Sequence, residues 1–276
     1  MNIAVIGLGI IGGSFCKAIK KYTDHYVIGI NRTPETVQKA LDVGTIDEIG
    51  SPETLGKADL VILAMYPQAD IDYIKKNGCY IKKGAVVTDA SGIKSAICPQ
   101  LKELAQKYEF VFVGSHPMAG KEKNGFDVSD SELYKGASFI ITPCGAEQKY
   151  VDMLSDFAKS IGFGMIKITT PEEHDRMIAF TSQLPHVLAC AYVLSPCCPN
   201  HKGFSAGSYR DVSRVANINS KLWSELFLEN KEPLVKELDI LVENITKISD
   251  AIKSENTEEL ADLLEQGHKV KESLGE

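Results

Sequence analysis

His116 and Pro117 stand side by side in VGSHPMAGKEKNGF, residues 113–126, just beyond the apolar run Phe110 to Val113. A neutral imidazole is suited to accept a proton near pH 7, because its unperturbed pKa is about 6.5. Pro117 fixes the chain direction beside it. Near the N-terminus, AVIGLGIIGGSF sets Gly7, Gly9 and Gly12 in G-x-G-x-x-G spacing. The spacing suits a dinucleotide pyrophosphate: Gly7 permits a tight turn, Gly9 lets backbone approach the anion, and Gly12 lets a helix pack close to a strand. A helix beginning near Ile10 and Ile11 would turn its free N–H groups toward that anion. After the second β-type run the chain reads Asn31, Arg32, Thr33, with no acid for a ribose 2′-hydroxyl. A 2′-phosphate is not repelled there and Arg32 can pair with it, so NADP is favoured as cofactor and NAD remains possible.

These groups need a scaffold, and the chain has two textures. From Asn2 to about Thr169, the runs NIAVIG, HYVIGI, DLVILAM, GAVVTDA, FVFVGS, ASFIITP and FGMIKIT alternate with amphipathic segments. That alternation predicts a parallel sheet covered on both faces, an α/β Rossmann-like dinucleotide-binding domain over residues 1–169. His116 would follow its strand at the carboxyl edge, where ligands of such sheets gather. From Pro171 onward the β signal is absent, so residues 170–276 are expected to form an all-α domain. Pro185 removes a backbone hydrogen bond and predicts a kink beside His186, which suggests a pocket wall with Ser182 and Gln183 nearby. Leu234, Leu238, Leu241, Ile245, Ile248 and Ile252 alternate steps of four and three, painting a narrow apolar stripe along one helix. The stripe alone fits packing within a subunit or between two.

Composition excludes several classes. A net charge of −7 without a basic block leaves no footprint for nucleic acid or an anionic membrane surface. A β-type run begins at Asn2 and every apolar stretch is broken before membrane-spanning length, so no leader is expected and the chain is expected to be cytoplasmic. The 7 cysteines include no C-x-x-C pair and are expected to be reduced. Cys197, Cys198 and His201 fall one ligand short of a zinc set, so no metal is expected.

Several segments together resemble the TyrA family, the prephenate and arogenate dehydrogenases of tyrosine biosynthesis. They are GLGIIGGSF, VVTDASGIKS, GSHPMAGKEKNGF, TSQLPHVLA, SYRDVSRVA and LWSELFLENKE, in family order over nearly the whole chain. The resemblance implies a dinucleotide-binding domain followed by a helical dimerisation domain, and a homodimer through the C-terminal helices. It implies NAD(P)-dependent oxidative decarboxylation of prephenate to 4-hydroxyphenylpyruvate, with arogenate as the alternative small-molecule substrate. By the same likeness His116 is the proton acceptor and Arg214 holds a substrate carboxylate; His186, with Ser182 and Gln183, stays the candidate for the wall of that site on the strength of the kink. Many relatives carry a catalytic-site serine where this chain has Gly92; Ser91, one place earlier, is the candidate to replace it. Another β-hydroxyacid dehydrogenase-like enzyme, or a non-catalytic NADP sensor, is a remoter reading that the HPMAG and RDVSR segments argue against. No ACT domain or chorismate mutase segment is expected.

Overall fold

The computed structural model describes residues 1–121 and 123–275. Its first half alternates strands and helices: β1 (Asn2–Ile6), α1 (Ile10–Tyr22), β2 (Tyr26–Ile30), α2 (Pro34–Asp42), β3 (Glu48–Ile49), β4 (Leu60–Leu63), α3 (Pro67–Asn77), β5 (Val86–Asp89), α4 (Cys98–Tyr108) and β6 (Val111–Phe112). The six strands pair in parallel in the order β3-β2-β1-β4-β5-β6. Strand side chains alternate between faces, and both faces are covered. Ile3 and Val5 of β1 enter one apolar cluster, Ala4 and Ile6 the other.

The strand expected over FVFVGS is divided. It leaves the parallel sheet after Phe112 and starts again as β7 (Gly114–Pro117), which pairs antiparallel with β8 (Ser138–Thr142). His116 is therefore not in a loop beyond a strand end but inside β7, opposite Ile140. β8 pairs in parallel with β9 (Met165–Ile168), and α5 (Gln148–Ser160) lies between them in sequence. ASFIITP and FGMIKIT thus belong to a second, three-stranded mixed sheet rather than to the parallel one.

Beyond β9 the described residues are helical. α6 (Pro171–Ile178) is capped by Thr170, whose side chain accepts from Glu173 N–H. The expected kink before Pro185 takes the form of one π-helical turn, Ala179–Gln183, that leads directly into α7 (Leu184–Val193). A widened turn reorganises the bonding that a proline without N–H would interrupt. α8 (Gly207–Ser213) and α9 (Ser220–Glu229) follow. Contacts group Met1–Asn230 into one unit and Lys231–Glu276 into another, so α6 to α9 join the sheets although the texture changes at Pro171. The second unit is a pair of packed helices, α10 (Lys231–Lys253) and α11 (Thr257–Ser273). Among the described residues no helix is long and apolar enough to cross a membrane.

The turn from β1 to α1 depends on two glycines. Gly7 has φ 91°, in the left-handed region, and a Cβ there would lie 2.7 Å from the Ala64 carbonyl oxygen. A Cβ on Gly12 would lie 1.9 Å from the Gly7 carbonyl oxygen, whereas one on Gly9 would meet nothing within 4 Å. Gly12→Ala is accordingly expected to lower unfolding free energy by about 1–3 kcal/mol. Gly9→Ala should stay within about 0.5 kcal/mol of the parent. Urea unfolding midpoints at constant slope check the pair; equal midpoints for the two variants would refute the close approach.

Candidate active site

The glycine loop joins two strand ends. Gly7 N–H donates to the Ile30 carbonyl at 2.8 Å, and Leu8 N–H donates to Asn31 Oδ1 at 3.1 Å. The Asn31 side chain, expected as a cofactor contact, thus fastens the loop to the end of β2. No side chain caps α1 at Gly9, so the first-turn N–H groups have no capping partner from that residue. Ile11 is held from behind, its carbonyl accepting from Tyr134 OH at 2.7 Å. Arg32 and Thr33 are exposed immediately past Asn31. Gly7, Gly9, Ile10, Ile11, Gly12, Asn31, Arg32 and Thr33 are therefore brought together at the carboxyl ends of β1 and β2. An uncapped helix start, open space where a Cβ on Gly9 would be, and an exposed guanidinium fit the pyrophosphate and ribose of a dinucleotide.

A second cluster forms at the end of β5. The Lys94 and Asp89 side chains are wholly buried, and Lys94 Nζ donates to Asp89 Oδ2 at 2.5 Å and to the Ser91 carbonyl at 2.7 Å. The other carboxylate oxygen of Asp89 accepts from Ser115 N–H at 3.1 Å, and the Asp89 carbonyl accepts from Ser115 Oγ at 2.6 Å. These bonds tie β7 to β5 and set the start of the segment that carries His116. Ser91, expected near the reacting atoms, turns elsewhere: its Oγ donates to Asp70 Oδ2 at 3.2 Å, and the residue is buried. Burial and the neighbouring Asp89 charge raise Asp70 well above the usual carboxylate range. The position that does face His116 is Gly92, where a Cβ would lie 3.9 Å from His116 Cε1.

His116 is half-buried, and its Nδ1 lies 2.9 Å from His174 Nε2. The Nδ1 of His174 lies 2.7 Å from Asp175 Oδ1. Asp175 also accepts the N–H groups of Lys94 at 2.8 Å and Ser95 at 2.7 Å, which couples α6 to the loop after β5. Burial, then the neighbouring His174 and Lys94, hold His116 well below its ordinary pKa. Burial also lowers His174, against the opposing pull of Asp175. For Asp175, burial acts upward but is outweighed by hydrogen bonds from His174 and Ser95, so the carboxylate is held below its usual range.

The sequence does not single out His174, Asp175, Lys94, Asp89 or Asp70, because each looks like a solvated charge. One signal was available in PEEHDRMIA: His174 and Ile178 are one helical turn apart, as are Asp175 and Ala179, and all four are buried while Glu173 and Arg176 pair outside.

Of the helical candidates, His186 stacks on Trp223 with centroids 3.7 Å apart, and its Nδ1 lies 2.7 Å from the Ser182 carbonyl oxygen. One turn along α9 from Trp223, Leu226 lies 3.6 Å from the place of a Gly92 Cβ, which puts His186 and the loop at Gly92 along one face of α9. Gln183 is not a wall residue. It is 1% exposed, its Nε2 donates to the Leu226 carbonyl at 3.1 Å and its Oε1 accepts from Asn230 Nδ2 at 2.7 Å. Both ends of its amide are thus committed to joining α9 to the π-helical turn. Arg214 is exposed at the end of α8, in a short turn packed on α7. Asn219, just beyond it, donates to Tyr66 OH at 2.9 Å near the end of β4. Among the described residues no three His, Cys, Asp or Glu side chains are placed to hold a metal ion.

Comparison with known proteins identifies the family. Residues 15–167 match the model of the prephenate dehydrogenase nucleotide-binding domain, and residues 170–266 that of the prephenate dehydrogenase dimerization domain. A cyclohexadienyl dehydrogenase of Zymomonas mobilis is 30% identical over 99% of this chain and 96% of its own length. The solved prephenate dehydrogenase from A. aeolicus, in complex with hydroxyphenyl propionate and NAD+, is 28% identical, with a TM-score of 0.87 over 99% of this chain and 98% of that one. The Synechocystis arogenate dehydrogenase structure is 26% identical, with a TM-score of 0.84 over 99% of this chain and 100% of that one. With both domain models matched in order across most of its length, the chain belongs to the prephenate dehydrogenase family.

Proposed function

We propose that this dehydrogenase converts prephenate to 4-hydroxyphenylpyruvate by oxidative decarboxylation, and that it uses NADP in preference to NAD. The observation that carries the reading is His116, half-buried inside β7 with its Nδ1 2.9 Å from His174 Nε2, in a chain that also builds an uncapped dinucleotide loop. A bound oxidised nicotinamide supplies the hydride acceptor. His116 takes the proton of the ring hydroxyl as the hydride leaves the carbon bearing it, and loss of the ring carboxylate as carbon dioxide completes the aromatic ring. Arg214 binds one substrate carboxylate through its guanidinium fork, and His186, on its Trp223 platform, lines the same site. Ser91 supports the loop through Asp70 rather than touching substrate. Arogenate is the second reading, favoured by the Synechocystis relative named for it. The two substrates differ only by a keto or amino group on the side chain. Parallel turnover of both with each cofactor tests the assignment, and failure to turn over either would overturn it.

Because Asn31 is spent on Leu8 and no acid follows it, Arg32 is the charge nearest to hand for a 2′-phosphate. Arg32→Ala should lower kcat/KM with NADP by on the order of tenfold or more, the loss of a charge-assisted contact, while leaving NAD turnover little changed. Equal or better use of NAD by the parent enzyme would rule the preference out.

His116→Asn should lower kcat by roughly 10²- to 10⁴-fold with little change in cofactor affinity. The required form of His116 is neutral, so activity falls as pH drops through its pKa. Burial, His174 and Lys94 set that pKa well below the ordinary histidine value, so the acid limb should lie below about pH 6.5. An unchanged limb in the Asn variant would reassign the proton acceptor.

The helical pair supports a homodimer through residues 231–276. Leu234 and Ala251 are the buried residues of α10 and α11 has none, while Val235, Ile240, Val242, Ile245, Ile252, Leu264 and Val270 are exposed. So much exposed apolar surface on two helices needs a partner. Sedimentation at micromolar concentration should give two subunits; a clean monomer would exclude the interface.

A further inference from the structure

We propose that Asp175, acting through His174, locks His116 in the tautomer that carries hydrogen on Nδ1 and leaves Nε2 as the basic atom. The assignment rests on reading His116 as the proton acceptor, and it follows from counting donors along one row of groups.

An ionised carboxylate only accepts hydrogen bonds. Asp175 already takes the N–H groups of Lys94 and Ser95, and its Oδ1 lies 2.7 Å from His174 Nδ1, so that nitrogen carries hydrogen. The His174 side chain is completely buried, and the ammonium of Lys94 lies in the same cluster. A second proton on this ring would add an unsolvated charge beside another of the same sign. With one proton, and that proton on Nδ1, His174 has a bare Nε2 that accepts only. Its neighbour at 2.9 Å, His116 Nδ1, must then donate. The remaining ring nitrogen of His116, Nε2, is left with its lone pair. The opposite tautomer of His116 would set two lone pairs against each other at 2.9 Å.

The same row accommodates the product of proton transfer. When a substrate proton reaches His116 Nε2, the Nδ1 proton can pass to His174 Nε2. His116 returns to a neutral ring, and the positive charge comes to lie against the Asp175 carboxylate. One proton enters at one end and one moves along, with no other reactant. His174 and Asp175 are positioning residues in this scheme, since neither touches the reacting atoms.

The charged and titratable groups facing the row come from three places. Lys94 and Asp89 approach from the β5 end, with Asp70 behind them on α3. Glu229, at the end of α9, faces Asp175 and is pushed up to about 7 by burial and by the Glu225 and Asp175 carboxylates. A tautomer measurement at pH 8.5, about 1.5 units above the Glu229 value, keeps that group ionised throughout.

Long-range ¹H–¹⁵N spectra of the full-length protein report ring tautomers directly, and among its 6 histidines the His116 signals are those lost in His116→Asn. The parent should show a protonated Nδ1 and a bare Nε2 at His116. His174→Gln keeps an acceptor near the place of Nε2 and should retain both the tautomer and kcat to within about tenfold. His174→Phe removes the acceptor. It should give mixed tautomers and lower kcat by roughly 10²-fold or more with KM little changed, as wrong-tautomer variants of other imidazole bases do. A parent spectrum with hydrogen on Nε2 overturns the proposal, and so does a Phe variant that keeps a single Nδ1–H tautomer. The assigned spectra with unaltered kcat in every variant would instead uphold the lock and remove His116 from the role of base. The parent spectrum needs no variant to fold.

Discussion

The buried ion pair of Lys94 and Asp89 is the constraint on which the cluster around His116 is built. Neither side chain meets water, and a lone charge at such a depth would cost several kcal/mol. The pair is tolerable because every donor and acceptor is used: Lys94 also donates to two backbone carbonyls, and Asp89 also accepts from Ser91 and Ser115. Those secondary bonds are what shape the site. They hold the loop after β5 in a tight form, present the Lys94 and Ser95 N–H groups to Asp175, and fasten β7 beside β5. Replacing the pair with apolar groups could leave stability intact, but removing one partner alone would cost about 3–5 kcal/mol and strand the other charge beneath His116.

The family motifs made part of this legible. The glycine loop, the parallel strands and the change to helix at Pro171 follow from periodicity and turn chemistry, and His116 stands out because a histidine beside a proline needs a reason. What stayed hidden shares one cause. Lys94, Asp89, His174 and Asp175 are polar letters that ordinarily mean solvent, and only three-dimensional pairing shows them to be interior. The same ambiguity misplaced Gln183, which reads as a pocket residue and serves as a helix tie. Ser91 and Gly92 show the limit at finer grain, because which of two neighbouring positions faces His116 is a matter of backbone direction.

Asp175 links the two halves of the chemistry in a second way. Its backbone carbonyl accepts from Asn230 Nδ2 at 2.9 Å while its side chain grips the loop after β5. α6 is thereby joined to α9, which carries Trp223 and Leu226, and to the segment that leads to His116. Trp223 on α9, with His186 of α7 stacked on it, is thus tied through Asn230 to the same carboxylate that faces His174, so the aromatic wall and the histidine row share one mechanical reference.

The division of the strand at Val113 has a consequence for how such a chain can vary. His116 sits in a four-residue strand whose pairing with β8 puts it opposite Ile140, and neighbouring positions on a strand point to opposite faces. Inserting or deleting one residue between Phe112 and His116 would reverse the ring to the far side of the small sheet while leaving the hydrophobic pattern nearly unchanged. Length in this segment is therefore specified as tightly as residue type, which is itself narrow: a Cβ on Gly114 would lie 2.3 Å from Thr142 Oγ1, and Ser115 is spent on Asp89.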